Sequence, residues 1–185
     1  MQKFNFQKHL REELLNLSKP HICKQVIIDE KIPKGWKENG GVLLFIHFGN
    51  FFLSGVALKT ILNINYTAIA STENFQHMSR TEANFWRKVH KAANKSYSRK
   101  MFLTNKSKSK EIVSYLQNGN FVGAAIDVAE QGRKHKFHPF KLLHNEIMLQ
   151  TGPARLARIA KVPLYGMIIV YDSKAQKHRL RITGP

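Results

Sequence analysis

The chain has 185 residues, 43% of them apolar, which suggests one domain large enough to bury a core. A single cysteine, Cys23, excludes an internal disulfide and suggests a reducing compartment. Thirty Lys and Arg against twelve Asp and Glu leave a net charge of +18, which attracts phosphate on nucleic acid, lipid headgroups or an acidic carrier and says nothing about fold.

The opening MQKFNFQKHLREELLNLSK lacks the apolar centre and small-residue cleavage site of a secretory signal. Residues 4–17 place Phe6, Leu10, Leu14 and Leu17 on one helical stripe, so residues 1–20 are expected to hold an amphipathic helix. Cys23 stands before a short strand, QVIID, and reads as a small buried hydrophobe. KIPKGWKENGG is turn-rich. VLLFIH is continuously apolar, as in a strand buried on both faces, and Gly49 and Asn50 break it before the helical FFLSGVALKTIL. Residues 41–62 are long enough to span a bilayer, but His47, Gly49, Asn50 and Lys59 would each be costly there. Two shorter elements joined by a tight turn fit better.

Further on, NYTAIAST, KMFLTN and FVGAAID read as strands, the last of them buried. TEANFWRKVHKAAN reads as a helix, with Phe85, Trp86, Val89 and Ala93 on one side. SKSKEIVSYLQNG is a helix opened by a Ser cap and closed by Asn118-Gly119. GRKHKFHPF is expected to be irregular and basic. TGPARLARIAK is a helix with Thr151 as cap and Pro153 in its first turn. VPLYGMIIVY and HRLRIT are the last strands. Alternating strands and helices predict an α/β fold: a central, mostly parallel sheet flanked by helices, in a single domain over 1–185.

In open α/β sheets a ligand sits beyond the strand ends. His47 falls at such an end, before a Gly-Asn turn and a helix, where it could serve as general base or be a satisfied core histidine. Asp127 ends another apolar strand, with Glu130 and Arg133 in the loop after it; an Asx turn with a solvated ion pair explains them equally well. From Ala83 to Lys110 nine Lys or Arg occur with no acidic residue. Such a run suits an anionic membrane, a phosphorylated carrier or a nucleic acid, or is only a solvated face. The histidines show no metal-ligand spacing, and no P-loop, GxGxxG or GxSxG is found.

IHFGNFF resembles the signature block of the lysophospholipid acyltransferase superfamily, closest to the lipid A late acyltransferase branch, whose block reads His-x-Gly-Asn-Trp-Glu. His47, Gly49 and Asn50 match it, and Phe51 stands where Trp is usual. STENFQHMSRTEANFWRKVH, IVSYLQNGNFVGAAID, AEQGRKHKFHPF and TGPARLARIAKVPLYGMII resemble later blocks in the same order, over roughly residues 40–185. Phe52 replaces the family's acidic residue, which orients the imidazole. Glu73, Asp127 or Glu130 could supply that carboxylate from another loop. Family members usually continue past the last Gly-Pro, and the N-terminal part here lacks the branch's hydrophobic anchor.

The resemblance implies a glycerolipid acyltransferase-like fold. It also implies transfer of an acyl chain from acyl carrier protein or coenzyme A to a hydroxyl or amine of a lipid or glycolipid. His47 would be the base, with Asn50 and Asp127 in the catalytic group; Gly49, Phe51, Phe52, Glu73, Glu130 and Arg133 would meet substrate. No cofactor or metal is implied beyond the thioester donor. The expected partners are that donor and an anionic lipid or membrane surface, with no nucleic acid. The expected location is cytoplasmic, where the chain could also sit peripherally on the inner membrane. The alternative is a catalytically degenerate relative that binds acyl chains or partners an active enzyme.

Overall fold

The computed structural model describes residues 6–71, 75, 78–103, 108–127, 137–142 and 144–185. Helix α1 (Phe6–Leu15) opens the described chain. Leu14 and Leu17, from the expected stripe, are buried. A 3-10 turn (Pro20–Gln25) leads into β1 (Val26–Ile28). Next come β2 (Gly41–Phe45), α2 (Phe51–Thr60), β3 (Tyr66–Ala70) and α3 (Arg80–Ser96). After these lie β4 (Phe102–Leu103), α4 (Ser109–Gln117) and β5 (Phe121–Ala125). The chain continues through β6 (Phe137–Leu142), β7 (Asn145–Gln150), α5 (Gly152–Ala160), β8 (Leu164–Asp172) and β9 (Lys177–Thr183).

Seven strands form one sheet in the order β1-β9-β8-β2-β5-β3-β4. Every pairing in it is parallel except β8 with β9. The expected α/β class and mostly parallel sheet are therefore found. β2 lies centrally between β8 and β5, which explains its unbroken apolar run: both of its faces are covered. Leu43 and Phe45 face a core shared with α1, α2 and α3, while Val42 on the opposite face packs with residues of α4 and α5. The result is helix, sheet and helix in three layers.

α2 is helical, as expected, but shows no polar face over its middle turns. Phe52 through Leu58 are all buried, as befits a helix that is apolar all round and enclosed by its neighbours. α3 is amphipathic, and it starts with a full capping box: the Ser79 hydroxyl accepts from the Glu82 N–H while the Glu82 carboxylate accepts from the Ser79 N–H. Among the described residues no helix is long and apolar enough to cross a membrane. The 41–62 segment is a strand, a turn and a helix, as expected.

Four local expectations are corrected. Lys108, not a serine, occupies the N-cap of α4, and its ammonium pairs with Glu111. The position before α5 is held by Thr151, but its side chain makes no capping bond. Residues 137–140 of the supposedly irregular segment belong to strand β6, paired antiparallel with β7 in a separate two-stranded hairpin. Pro139 is tolerated there because an edge strand leaves its missing N–H without consequence. Cys23 is only half-buried, with its sulfur 2.7 Å from the Thr60 hydroxyl.

Candidate active site

The site grows from the geometry of parallel strands. β2 and β5 are neighbours and run the same way, so their carboxyl ends emerge side by side. The ladder continues one step past the end of β5, where the Ile126 N–H donates to the carbonyl of Phe45, the last residue of β2, at 3.0 Å. His47 follows β2 by two residues and Asp127 follows β5 by two, so the two side chains meet. The strand ends earlier than expected, at Phe45, which frees His47 from the sheet.

Asp127 holds His47 twice. Its Oδ1 lies 2.8 Å from the ring Nδ1, and its Oδ2 accepts the His47 backbone N–H at 2.7 Å. An ionised carboxylate can only accept, so this network assigns the ring proton to Nδ1 and leaves Nε2 with a free lone pair. The His47 side chain is 44% exposed and that of Asp127 33%. The imidazole is thus anchored on one edge and open on the other, which is the arrangement of a base rather than of a sealed core histidine.

The turn that carries the ring has little freedom. The Phe48 N–H donates to the Ile46 carbonyl at 2.7 Å. Gly49 adopts φ +62°, and a Cβ there would stand 2.7 Å from the Ile169 carbonyl oxygen on β8. Only glycine satisfies both demands. Asn50 is the N-cap of α2: its Oδ1 accepts the Leu53 N–H at 3.2 Å, and its Nδ2 donates to Glu13 Oε2 at 3.0 Å. At 1% exposure, Asn50 shapes the turn from beneath rather than meeting solvent.

Aromatic rings line one side of the imidazole. Phe51 packs edge-on against it at 4.8 Å between centroids, and Phe45 at 6.2 Å. Ile46 and Phe48, beside it in sequence, are exposed at 40% and 57%. Phe52, at the position where a carboxylate was expected by resemblance, turns away into the core. Its ring packs near Trp86 and His90 of α3, at 6.3 and 5.7 Å. Burial lowers the pKa of His90 below the ordinary histidine value.

Of the carboxylates that could replace the motif's acid, Asp127 is at the ring, and it is the only one of the three among the described residues. Glu73, Glu130 and Arg133 lie outside the described residues. Gly49 forms the turn after His47 and Phe51 packs on its ring, whereas Phe52, expected to meet substrate, is buried in the core. The β6–β7 hairpin is rooted here as well: the Gln150 N–H donates to the Ile126 carbonyl, adjacent to Asp127, and the hairpin exposes Phe140 and Met148. Exposed cations, including Arg87, Lys88, Lys91 and Lys95, cover the outer side of α3. Two residues with no motif around them also reach the site from below. Glu13 of α1 bonds Asn50, and His178 of β9 bonds Glu13.

No protein-family model matches this chain, and no curated protein matches it.

Proposed function

We propose that this chain is an acyltransferase, with His47 as general base, moving an acyl group from a thioester to a hydroxyl or amine of a lipid or glycolipid. The observation that carries the reading is the half-exposed imidazole whose Nδ1 is tied to Asp127 at 2.8 Å, at the carboxyl edge of a parallel sheet. In this reading Nε2 takes the proton from the acceptor as its oxygen or nitrogen attacks the thioester carbonyl. The new C–O or C–N bond forms, the C–S bond breaks, and the imidazolium returns its proton to the departing thiolate. Asp127 keeps the ring in the right tautomer and stabilises its transient positive charge.

Three further features support acyl transfer over other base chemistry. The ring stands among apolar side chains, with Phe51 packed on it and Phe48 and Ile46 exposed beside it, surroundings suited to an acyl chain. The cationic outer side of α3 suits an acidic carrier, the phosphates of coenzyme A, or an anionic lipid. The HFGN block and those after it resemble the lysophospholipid acyltransferase superfamily. A glycerolipid acyltransferase-like fold and a peripheral place on a membrane belong to the same proposal.

The test is thiol release from acyl-coenzyme A and from acyl carrier protein thioesters, with anionic lipid vesicles present, in the wild type and in His47→Ala. A general base contributes on the order of 10²–10⁴ in rate, so His47→Ala should lose at least about 100-fold. Unchanged turnover in the variant removes the proposal.

A further inference from the structure

One partly buried carboxylate ties three distant parts of the chain together beneath the site. Glu13 leaves the polar side of α1, where Arg11 and Glu12 stay exposed, and turns inward. Its Oε2 accepts from Asn50 Nδ2 at 3.0 Å, and both of its oxygens lie 3.0 Å from His178 Nε2. Side-chain exposure is only 19% for Glu13 and 5% for His178. Taking a carboxylate out of water is costly unless hydrogen bonds replace the lost hydration, and the bonds from Asn50 and His178 do so here. The acceptor carboxylate requires the proton on His178 Nε2; His178 Nδ1 is buried with no hydrogen-bond partner among the described residues.

Capping α2 does not require this arrangement. A serine or aspartate at position 50 would accept the Leu53 N–H equally well. What asparagine adds is a donor, and that donor is spent on Glu13. Without Glu13 the buried amide N–H of Asn50 would lose this acceptor and would have to rotate, shifting the Gly49–Asn50 turn. His47 lies just upstream in that turn, and its bond to Asp127 depends on where the turn places it.

We infer that Glu13 is a positioning residue: through Asn50 it sets the orientation of the His47 ring against Asp127, with His178 holding the carboxylate in place. This rests on the acyl-transfer reading only for its kinetic consequence. The geometric claim, that removing Glu13 loosens the Nδ1–Asp127 bond, stands on the contacts alone.

The test compares wild type, Glu13→Ala and Glu13→Gln by thermal melting, by long-range ¹H–¹⁵N spectra of the histidine rings, and by thiol release from acyl-coenzyme A. In the wild type the spectra should show His47 protonated at Nδ1. In Glu13→Ala the His47 pattern should move toward a mixture of tautomers, with kcat down about 10- to 100-fold and KM within about twofold. Glu13→Gln, which still offers Asn50 an acceptor, should recover most of both. A lowered melting temperature with an unchanged His47 pattern would mean that Glu13 only stabilises the fold, and the inference would be wrong. Should Glu13→Ala not fold, Asn50→Ser is read by the same criterion, because it keeps the cap for Leu53 and drops the bond to Glu13. If His47→Ala leaves turnover unchanged, the acyl-transfer reading fails alone, and the ring spectra still decide the role of Glu13.

Discussion

Asp127 grips His47 from 80 positions away, taking the ring Nδ1–H on one carboxylate oxygen and the backbone N–H of the same residue on the other. The second bond fixes the carboxylate relative to the main chain, so the first can fix the ring. An Asn at position 127 retains the shape but can present an N–H to Nδ1, which selects the wrong tautomer and blocks Nε2 as a base. Asp127→Asn should therefore cut thioester turnover by about 10²–10⁴-fold while the melting temperature changes little, because both side chains are partly solvated. A variant with near wild-type turnover would show that the pair does not act as a unit.

Phe52 offers a contrasting prediction. Its ring is 6% exposed and packs near Trp86 and His90, so the position belongs to the core between α2 and α3. Phe52→Glu introduces the acidic residue of the acyltransferase block that the sequence resembles, but inserts a carboxylate among aromatic rings. The lost packing and the buried charge should cost about 3–5 kcal/mol, offset by only about 0.3–1 kcal/mol from the helix N-terminus. Denaturant unfolding measures this directly. An equally stable variant with higher turnover would mean that the carboxylate reaches His47 after all, and that Asp127 is a weak substitute.

The fold was legible in the sequence because its elements have strong periods. The continuous apolar run of VLLFIH signals a strand covered on both faces, and β2 is flanked by β8 and β5. His47 and Asp127 were each legible as residues at strand ends. Asp127 was one of three candidate partners for the ring; the sequence could not single it out, because the pairing depends on β2 lying beside β5 although α2, β3, α3, β4 and α4 intervene in the chain. Hairpin β6–β7 was hidden by His138, Pro139 and Lys141, which weaken any alternating pattern. Glu13 carried no local signal at all. It is one acid on a charged helix face, and only tertiary packing brings it to Asn50 and His178.

His90 gives the pH prediction. Its ring lies near Phe52 and Phe75, with centroids 5.7 and 5.2 Å away, and desolvation holds its pKa below the ordinary value of 6.5. The unfolded chain therefore binds this proton at a higher pH than the folded one. Well above 6.5 the group is neutral in both states and contributes nothing to the pH dependence. As pH falls through 6.5, the unfolded state gains its proton first, so stability declines until the folded pKa is passed. His90→Phe keeps an aromatic ring and removes the titration. Its melting temperature relative to wild type should rise between about pH 8 and about pH 5. The same offset at both values would place His90 in water rather than among the rings.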